Sequence, residues 1–306
     1  FKQKTAYEIS LGLVGSEMCI RDRYMRFNFL RSFIITTLTV IFSSFAVNAA
    51  TLSEKVAAGE KPSLGFATAV PWGYPGENGE PLGFVNAIAL TILEEMGINE
   101  VDTSVNEWAG LIPGLNAGRY DVITGGMYIL KSRCENIDFS DPIGYFGDAM
   151  MVPAGNPKGI HNYEDVVRTG ATLVTGIGFN TVEAAKKYGV PDSQMLLVDG
   201  EVGILAAMKA GRADVAVHTV FSVQEHVEIS EGKFEQTDAT KMPKEVMNVV
   251  GIGFRKTDSD FKAAFNEAMA KVIGGDKWMS STAEYGYTAA QLPPEGFTTE
   301  YACANK

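Results

Sequence analysis

Trp108-Ala-Gly-Leu-Ile-Pro-Gly-Leu-Asn-Ala-Gly-Arg-Tyr-Asp-Val-Ile123 decides the fold. Leu111 and Leu115 fall on one helical face, and Gly118 supplies the stop that glycine gives a helix by accepting a left-handed backbone. Tyr120–Thr124 then reads as a short apolar strand. A helix handed straight to a strand is half of a β-α-β unit.

The same alternation runs outward in both directions. Leu64–Val70 is an apolar run ended by Pro71. Phe84–Met96 is helical, with Val85, Ile88, Ile92 and Met96 on one stripe and Gly97 after it, and Val101–Val105 is a strand. Downstream, helices are predicted at Asn162–Thr169, Thr181–Tyr188, Val202–Ala210, Val220–Ser230, Phe261–Ile273 and Lys277–Tyr285. Strands are predicted at Ala171–Thr175, Met195–Val198, Ala213–His218 and Val246–Arg255. This order predicts an α/β fold with right-handed crossovers. Ala149–Pro153 and Asn248–Gly253 are predicted to cross between two lobes, lobe 1 being residues 60–149 plus 251–306 and lobe 2 residues 150–250. Two such crossings make a hinge, with the ligand cleft at the strand carboxyl ends.

The N-terminal fifty residues stand apart. Residues 25–50 carry basic Arg26 and Arg31, an apolar run over Ser32–Phe45 and a small-residue end near Ala49 or Ala50, the pattern of a secretory signal peptide. An uncleaved anchor is the alternative, although the run falls short of the roughly 20 residues a spanning helix needs. Residues 1–24 resemble translated sequencing-adapter sequence, an artefact with no native structure expected. The first fifty residues carry six of the 26 basic and three of the 37 acidic side chains, leaving 20 against 34 to residues 51–306. A surface that acidic argues against nucleic acid or anionic lipid as a partner. Outside the first fifty residues two cysteines remain, Cys134 and Cys303. In an exported chain they form a disulfide or stay as two buried thiols.

Phe139-Ser-Asp-Pro and Ala210-Gly-Arg-Ala-Asp join the opening stretch in a pattern that resembles the family 3 extracellular solute-binding proteins of ABC importers. Gly126-Met-Tyr-Ile-Leu-Lys-Ser-Arg-Cys134 and the terminal Tyr301-Ala-Cys-Ala bring the resemblance closest to the ectoine and hydroxyectoine binders. The resemblance implies a two-lobed type II periplasmic-binding-protein fold and a Cys134–Cys303 bridge. It further implies a periplasmic monomer that passes a small zwitterionic solute to ABC permease subunits, with no cofactor of its own.

Trp72, Trp108 and Tyr128 match the aromatic box of those binders; ring faces attract cations by roughly 0.5–2 kcal/mol each when desolvated. Arg133 matches the arginine that holds the ligand carboxylate, which a guanidinium grips through two parallel hydrogen bonds. Lys131 beside it reads as solvated. Lobe 2 is expected to offer Phe179, Asn180 and Thr181 at the start of a helix, with His218 or Thr219 closing over the ligand. After Gly211-Arg-Ala-Asp the strand reads Val215-Ala-Val-His-Thr219, with no acid for an α-ammonium. A desolvated ammonium without an anionic partner costs several kcal/mol, which argues against a standard amino acid and for a delocalised or quaternary cation. One departure stands against the ectoine reading: Ala69 occupies the place of a glutamate, and Thr68, Glu77 and Glu107 are the nearby candidates to replace it. A polar amino acid or a betaine is the alternative ligand.

A periplasmic enzyme on the same fold, such as a dehydratase, is the competing class. The chain holds three histidines: His161 and His226 read as surface residues, and His218 is the one that could reach the cleft. It has no Gly-x-Ser-x-Gly and no His-Glu-x-x-His. No metal site is expected from so few scattered His and Cys.

Overall fold

A computed structural model describes residues 50–306. The predicted signal peptide, the adapter-like residues 1–24 and Cys19 lie outside the described residues.

Among the described residues, thirteen strands appear in chain order: β1 (Ser63–Phe66), β2 (Tyr74–Pro75), β3 (Pro81–Leu82), β4 (Asp102–Val105), β5 (Val122–Tyr128), β6 (Asp138–Phe139), β7 (Gly144–Phe146), β8 (Asp148–Pro153), β9 (Leu173–Gly176), β10 (Met195–Val198), β11 (Val215–Thr219), β12 (Phe234–Gln236) and β13 (Asn248–Phe254). They form two main sheets. The first has the order β4-β1-β5-β13-β6, with β7 also on β13; the second has the order β10-β9-β11-β8-β12. In each, three strands run parallel, and every strand beyond them pairs antiparallel with its neighbour. β2 and β3 make a separate small hairpin.

Alternate residues of each strand feed opposite faces. Val122, Tyr128, Val250, Ile252 and Phe254 pack against helices Phe84–Glu95 and Ser259–Val272. Ile123, Met127 and Val249 point the other way, toward Leu111, Leu115 and Ala302. The second sheet divides likewise: Met150, Val152, Val215 and Val217 meet Tyr163 and Val166, while Ala149, Met151 and Ala216 meet Ile204 and Val223. Sheets covered on both faces explain why these strands read as continuous apolar runs.

The chain passes from the first sheet to the second at Gly147 and returns at Met247. The two passages touch, for a Cβ on Gly147 would collide with the Met247 sulfur. The segments expected to cross are themselves strands: Ala149–Pro153 belongs to β8 and Asn248–Gly253 to β13. Cys134 and Cys303 are bonded, holding the C-terminal helix Thr299–Asn305 against the short helix Lys131–Cys134.

Several elements escaped the sequence reading because they are short and unperiodic. They include β2, β3, β6, β7 and β12, and helices Leu52–Ala57 and Thr299–Asn305. The predicted helix at Trp108–Gly118 opens instead as a 3-10 turn over Trp108–Gly110 before the α-helix Leu111–Asn116.

Candidate functional site

Open α/β sheets bind ligands where parallel strands end, since the following loops and helix starts converge there. Ala67, Thr68 and Ala69 follow β1; Trp108 follows β4; Tyr128 ends β5 and Arg133 follows it. From the second sheet, Phe179 and Asn180 follow β9, Gly200 and Glu201 follow β10, and His218 and Thr219 end β11. With Trp72 these residues line one cleft between the sheets. Its walls leave about 30 Å³, on the scale of a water molecule.

Arg133 is the chemical centre of the first wall. It is 7% exposed. Nη1 donates to the Tyr128 carbonyl at 2.9 Å and Nη2 to the Gly178 carbonyl at 3.1 Å. The guanidinium stands 5.6 Å over the Trp108 ring. Among the described residues no carboxylate comes within ion-pair distance; Glu183, farther off, is the acid whose field supports its charge. Burial pulls its pKa down to about 10, which still leaves it cationic at neutral pH.

The aromatic residues divide between wall and core. Trp108 donates its indole N–H to Gly178 at 3.1 Å and meets Phe179 edge-on at 5.2 Å. Phe179 in turn meets the His218 ring at 4.8 Å. Trp72 is 3% exposed and packs among Phe84, Phe146 and Phe221. Phe221 lies on the helix after β11, so this cluster joins the two sides of the cleft. The Trp72 indole donates across it to Ser222 Oγ at 3.1 Å. The Tyr128 hydroxyl is buried with no partner among the described residues, and burial drives its pKa up.

On the second wall, the Asn180 side-chain amide donates to Asp148 at 2.9 Å, and its oxygen has no partner among the described residues. Asp148 is buried, and burial pushes its carboxyl well above the usual range. Thr181 corrects the expectation for this helix start: it is buried behind the wall, hydrogen-bonded to Thr175, and does not line the cleft. Thr219 caps helix Val220–Glu228, accepting from Ser222 N.

The sequence reading missed Glu201. It is 6% exposed and lies second in helix Gly200–Lys209. Ser222 Oγ donates to its Oε1 at 2.7 Å. His218 Nε2 sits 3.2 Å from the same oxygen, near enough for a charge contact but out of line for a hydrogen bond. Burial pushes the Glu201 carboxyl up to about 8 and the His218 imidazole down to about 3. Near neutral pH the pair is therefore a carboxylic acid beside a neutral imidazole. The Thr219 N–H donates to His218 Nδ1, which places the imidazole proton on Nε2. The cleft thus does hold an acid, correcting the inference drawn from Val215–Thr219. Glu77 and Glu107 are exposed outside it, so neither replaces the glutamate absent at Ala69. His226, expected at the surface, is buried, and His161 is half-buried.

The description "Bacterial extracellular solute-binding proteins, family 3" matches residues 64–288. A probable amino-acid ABC transporter periplasmic-binding protein of Sinorhizobium fredii is 28% identical over 281 residues, covering 89% of this chain and 92% of that protein. The histidine-binding periplasmic protein of Salmonella typhimurium is 27% identical over 252 residues, 77% of this chain and 89% of its own. Among solved structures, EhuB in complex with hydroxyectoine superposes with a TM-score of 0.74 at 27% identity, covering 83% of this chain and 98% of EhuB.

Proposed function

The chain belongs to the family 3 bacterial extracellular solute-binding proteins, and on that footing we propose that its cleft captures a small zwitterionic compatible solute, ectoine or hydroxyectoine, in the periplasm and hands it to an ABC importer. The observation that carries this reading is Arg133, a buried guanidinium over an aromatic ring with no carboxylate within ion-pair distance among the described residues. Leaving such a charge desolvated costs several kcal/mol unless an anion comes to it. A solute carboxylate meets that need, and the Trp108, Phe179 and Trp72 rings suit the delocalised cation that makes up the rest of such a solute.

On this reading the lobes follow the two sheets, about residues 60–147 with 247–306 and residues 148–246, a few residues from the expected bounds of 149/150 and 250/251, with the hinge where the chain crosses at Gly147 and Met247. About 30 Å³ is too little for such a solute, so entry requires the walls to part. A ligand then stabilises closure only through contacts it makes in the closed state.

Glu201 favours a second reading. A cleft acid removes the argument against an α-ammonium, so a polar amino acid is the alternative ligand. Calorimetric titration with ectoine, hydroxyectoine, glycine betaine, arginine and glutamine separates the two. Heat from ectoine and not from the amino acids supports the proposal; the reverse assigns the site to amino acids. Recovery of the bound solute unchanged tests that the protein carries it without converting it.

A further inference from the structure

The second wall of the cleft carries a buried carboxyl that no cation among the described residues compensates. Glu201 accepts one hydrogen bond, from Ser222, and that hydroxyl in turn accepts from Trp72 across the cleft. The other groups that bear on Glu201 are neutral or acidic. His218 and Thr219 face it from β11, and the imidazole is held neutral. From helix Val220–Glu228 come Ser222 and Glu225, whose field opposes ionisation of Glu201; His226 on that helix acts on His218. The segment carrying Trp72 also carries Tyr74, which feels Glu284 and Glu225 and is not among the groups acting on Glu201. Arg133 stands on the opposing wall of the same cleft.

An acid and a guanidinium on facing walls, neither given a counter-charge by the described residues, are a template for a zwitterion. We infer that Glu201 receives the cationic end of the solute and gives up its proton as it does so. The inference rests on the solute-binding reading above. The O–H bond of Glu201 breaks, the proton leaves to the bulk buffer, and the carboxylate that remains pairs with the incoming cation. His218 does not keep the proton, because its buried ring disfavours charge. The complex therefore loses one unit of charge, all of it at Glu201: Arg133 takes the solute's anion without proton exchange, and Glu201 takes its cation with one proton released.

Glu201 is thus the specificity residue for cationic solutes, and it sits on the second wall rather than beside the first aromatic at Ala69. The linkage also gives a direction. With the carboxyl held near 8 in the unliganded cleft, solute affinity weakens about tenfold for each pH unit below that value and levels off above it.

The test is calorimetry on the full chain with ectoine, glycine betaine and arginine, each in two buffers of different ionisation enthalpy. At about pH 6.5 the solute that binds should release about one proton per site, falling toward zero above about pH 9. Glu201→Gln should abolish the release, flatten the pH dependence and weaken binding at least tenfold at about pH 8.5. Wild-type binding that exchanges no proton overturns the inference while leaving the solute-binding reading intact, and this outcome needs no variant to fold. Glu201→Gln binding as tightly as wild type at high pH overturns it as well. Silence of the wild type toward all three solutes would instead defeat the reading on which it rests.

Discussion

Arg133 donates to the backbone carbonyl of Gly178, 3.1 Å away, so the guanidinium that faces the cleft also ties its two walls together. Gly178 accepts from Trp108 as well, and its φ of +76° suits glycine above other residues. One side chain therefore serves both ligand charge and closure.

Replacing Arg133 should separate these roles. Arg133→Ala is expected to lower affinity for a carboxylate solute by about 100-fold, the scale for losing one partner of a buried charge pair. Arg133→Lys keeps a charge but loses the planar fork that reaches the Tyr128 and Gly178 carbonyls together, and should recover only part of the loss. Titration calorimetry of both variants checks this; full affinity in Arg133→Lys would show that the fork is unnecessary.

Glu201 should cost stability where it would ionise. Its folded pKa of about 8 lies above the ordinary carboxyl value of 4.5, so between these values the folded protein holds a proton that the unfolded chain has released. Stability then falls as pH rises through that window and stays reduced above it. Without solute, Glu201→Gln should gain on the order of 3 kcal/mol at about pH 8.5, roughly 5–10 °C in Tm for a chain of this size. The gain should vanish toward pH 4.5. Thermal melts across this range check the sign, and an unchanged Tm at high pH would contradict it.

His226 works in the opposite direction. Burial lowers its pKa from 6.5 to about 4, so below pH 6.5 the unfolded chain takes up a proton that the folded protein refuses. Its contribution to stability is whole above 6.5 and declines as pH falls toward 4. A His226→Gln variant should lose less stability than wild type over that interval, by up to about 1.4 kcal/mol per pH unit. Parallel urea titrations at several pH values measure the difference.

Gly126 guards the Trp72 position. Its φ is +78°, and a Cβ there would strike the Trp72 ring. Gly126→Ala should cost about 1–3 kcal/mol through backbone strain and overpacking. It should also disturb the Trp72–Ser222 hydrogen bond, which tryptophan fluorescence and solute affinity would both report.

The Cys134–Cys303 bridge closes a loop with a sequence separation of 169. Removing it by Cys134→Ser with Cys303→Ser should cost about 2–5 kcal/mol. Because Cys134 adjoins Arg133, weaker solute binding should accompany the lower Tm. A lower Tm with unchanged affinity would show that the bridge serves stability alone.

Much of the architecture was legible because strands covered on both faces leave apolar runs, and amphipathic helices between them leave stripes. The Trp108–Ile123 stretch carried both signals. Short pieces such as β2, β3 and β12 carry too few residues for either. The site was partly legible for a related reason: Trp108, Tyr128, Phe179 and His218 sit just after or at strand ends, where sequence order forecasts a cleft, whereas Arg133 was singled out by the family resemblance alone. Glu201 was not legible. An acid in the first turn of a helix normally reads as a solvated partner of the helix dipole, and only the packing of Ser222 and His218 around it reveals a buried carboxyl. Thr181 failed the other way, since a helix start looks equally open on every side until the chain folds over it.

Calorimetric titration of the protein with ectoine at about pH 8.5, beside the Arg133→Ala variant, tests the central claim most directly. The account expects binding with Kd on the micromolar scale or tighter, about −8 kcal/mol, and its loss in the variant. Binding that survives undiminished in Arg133→Ala, or heat from glutamine with none from ectoine, would contradict it.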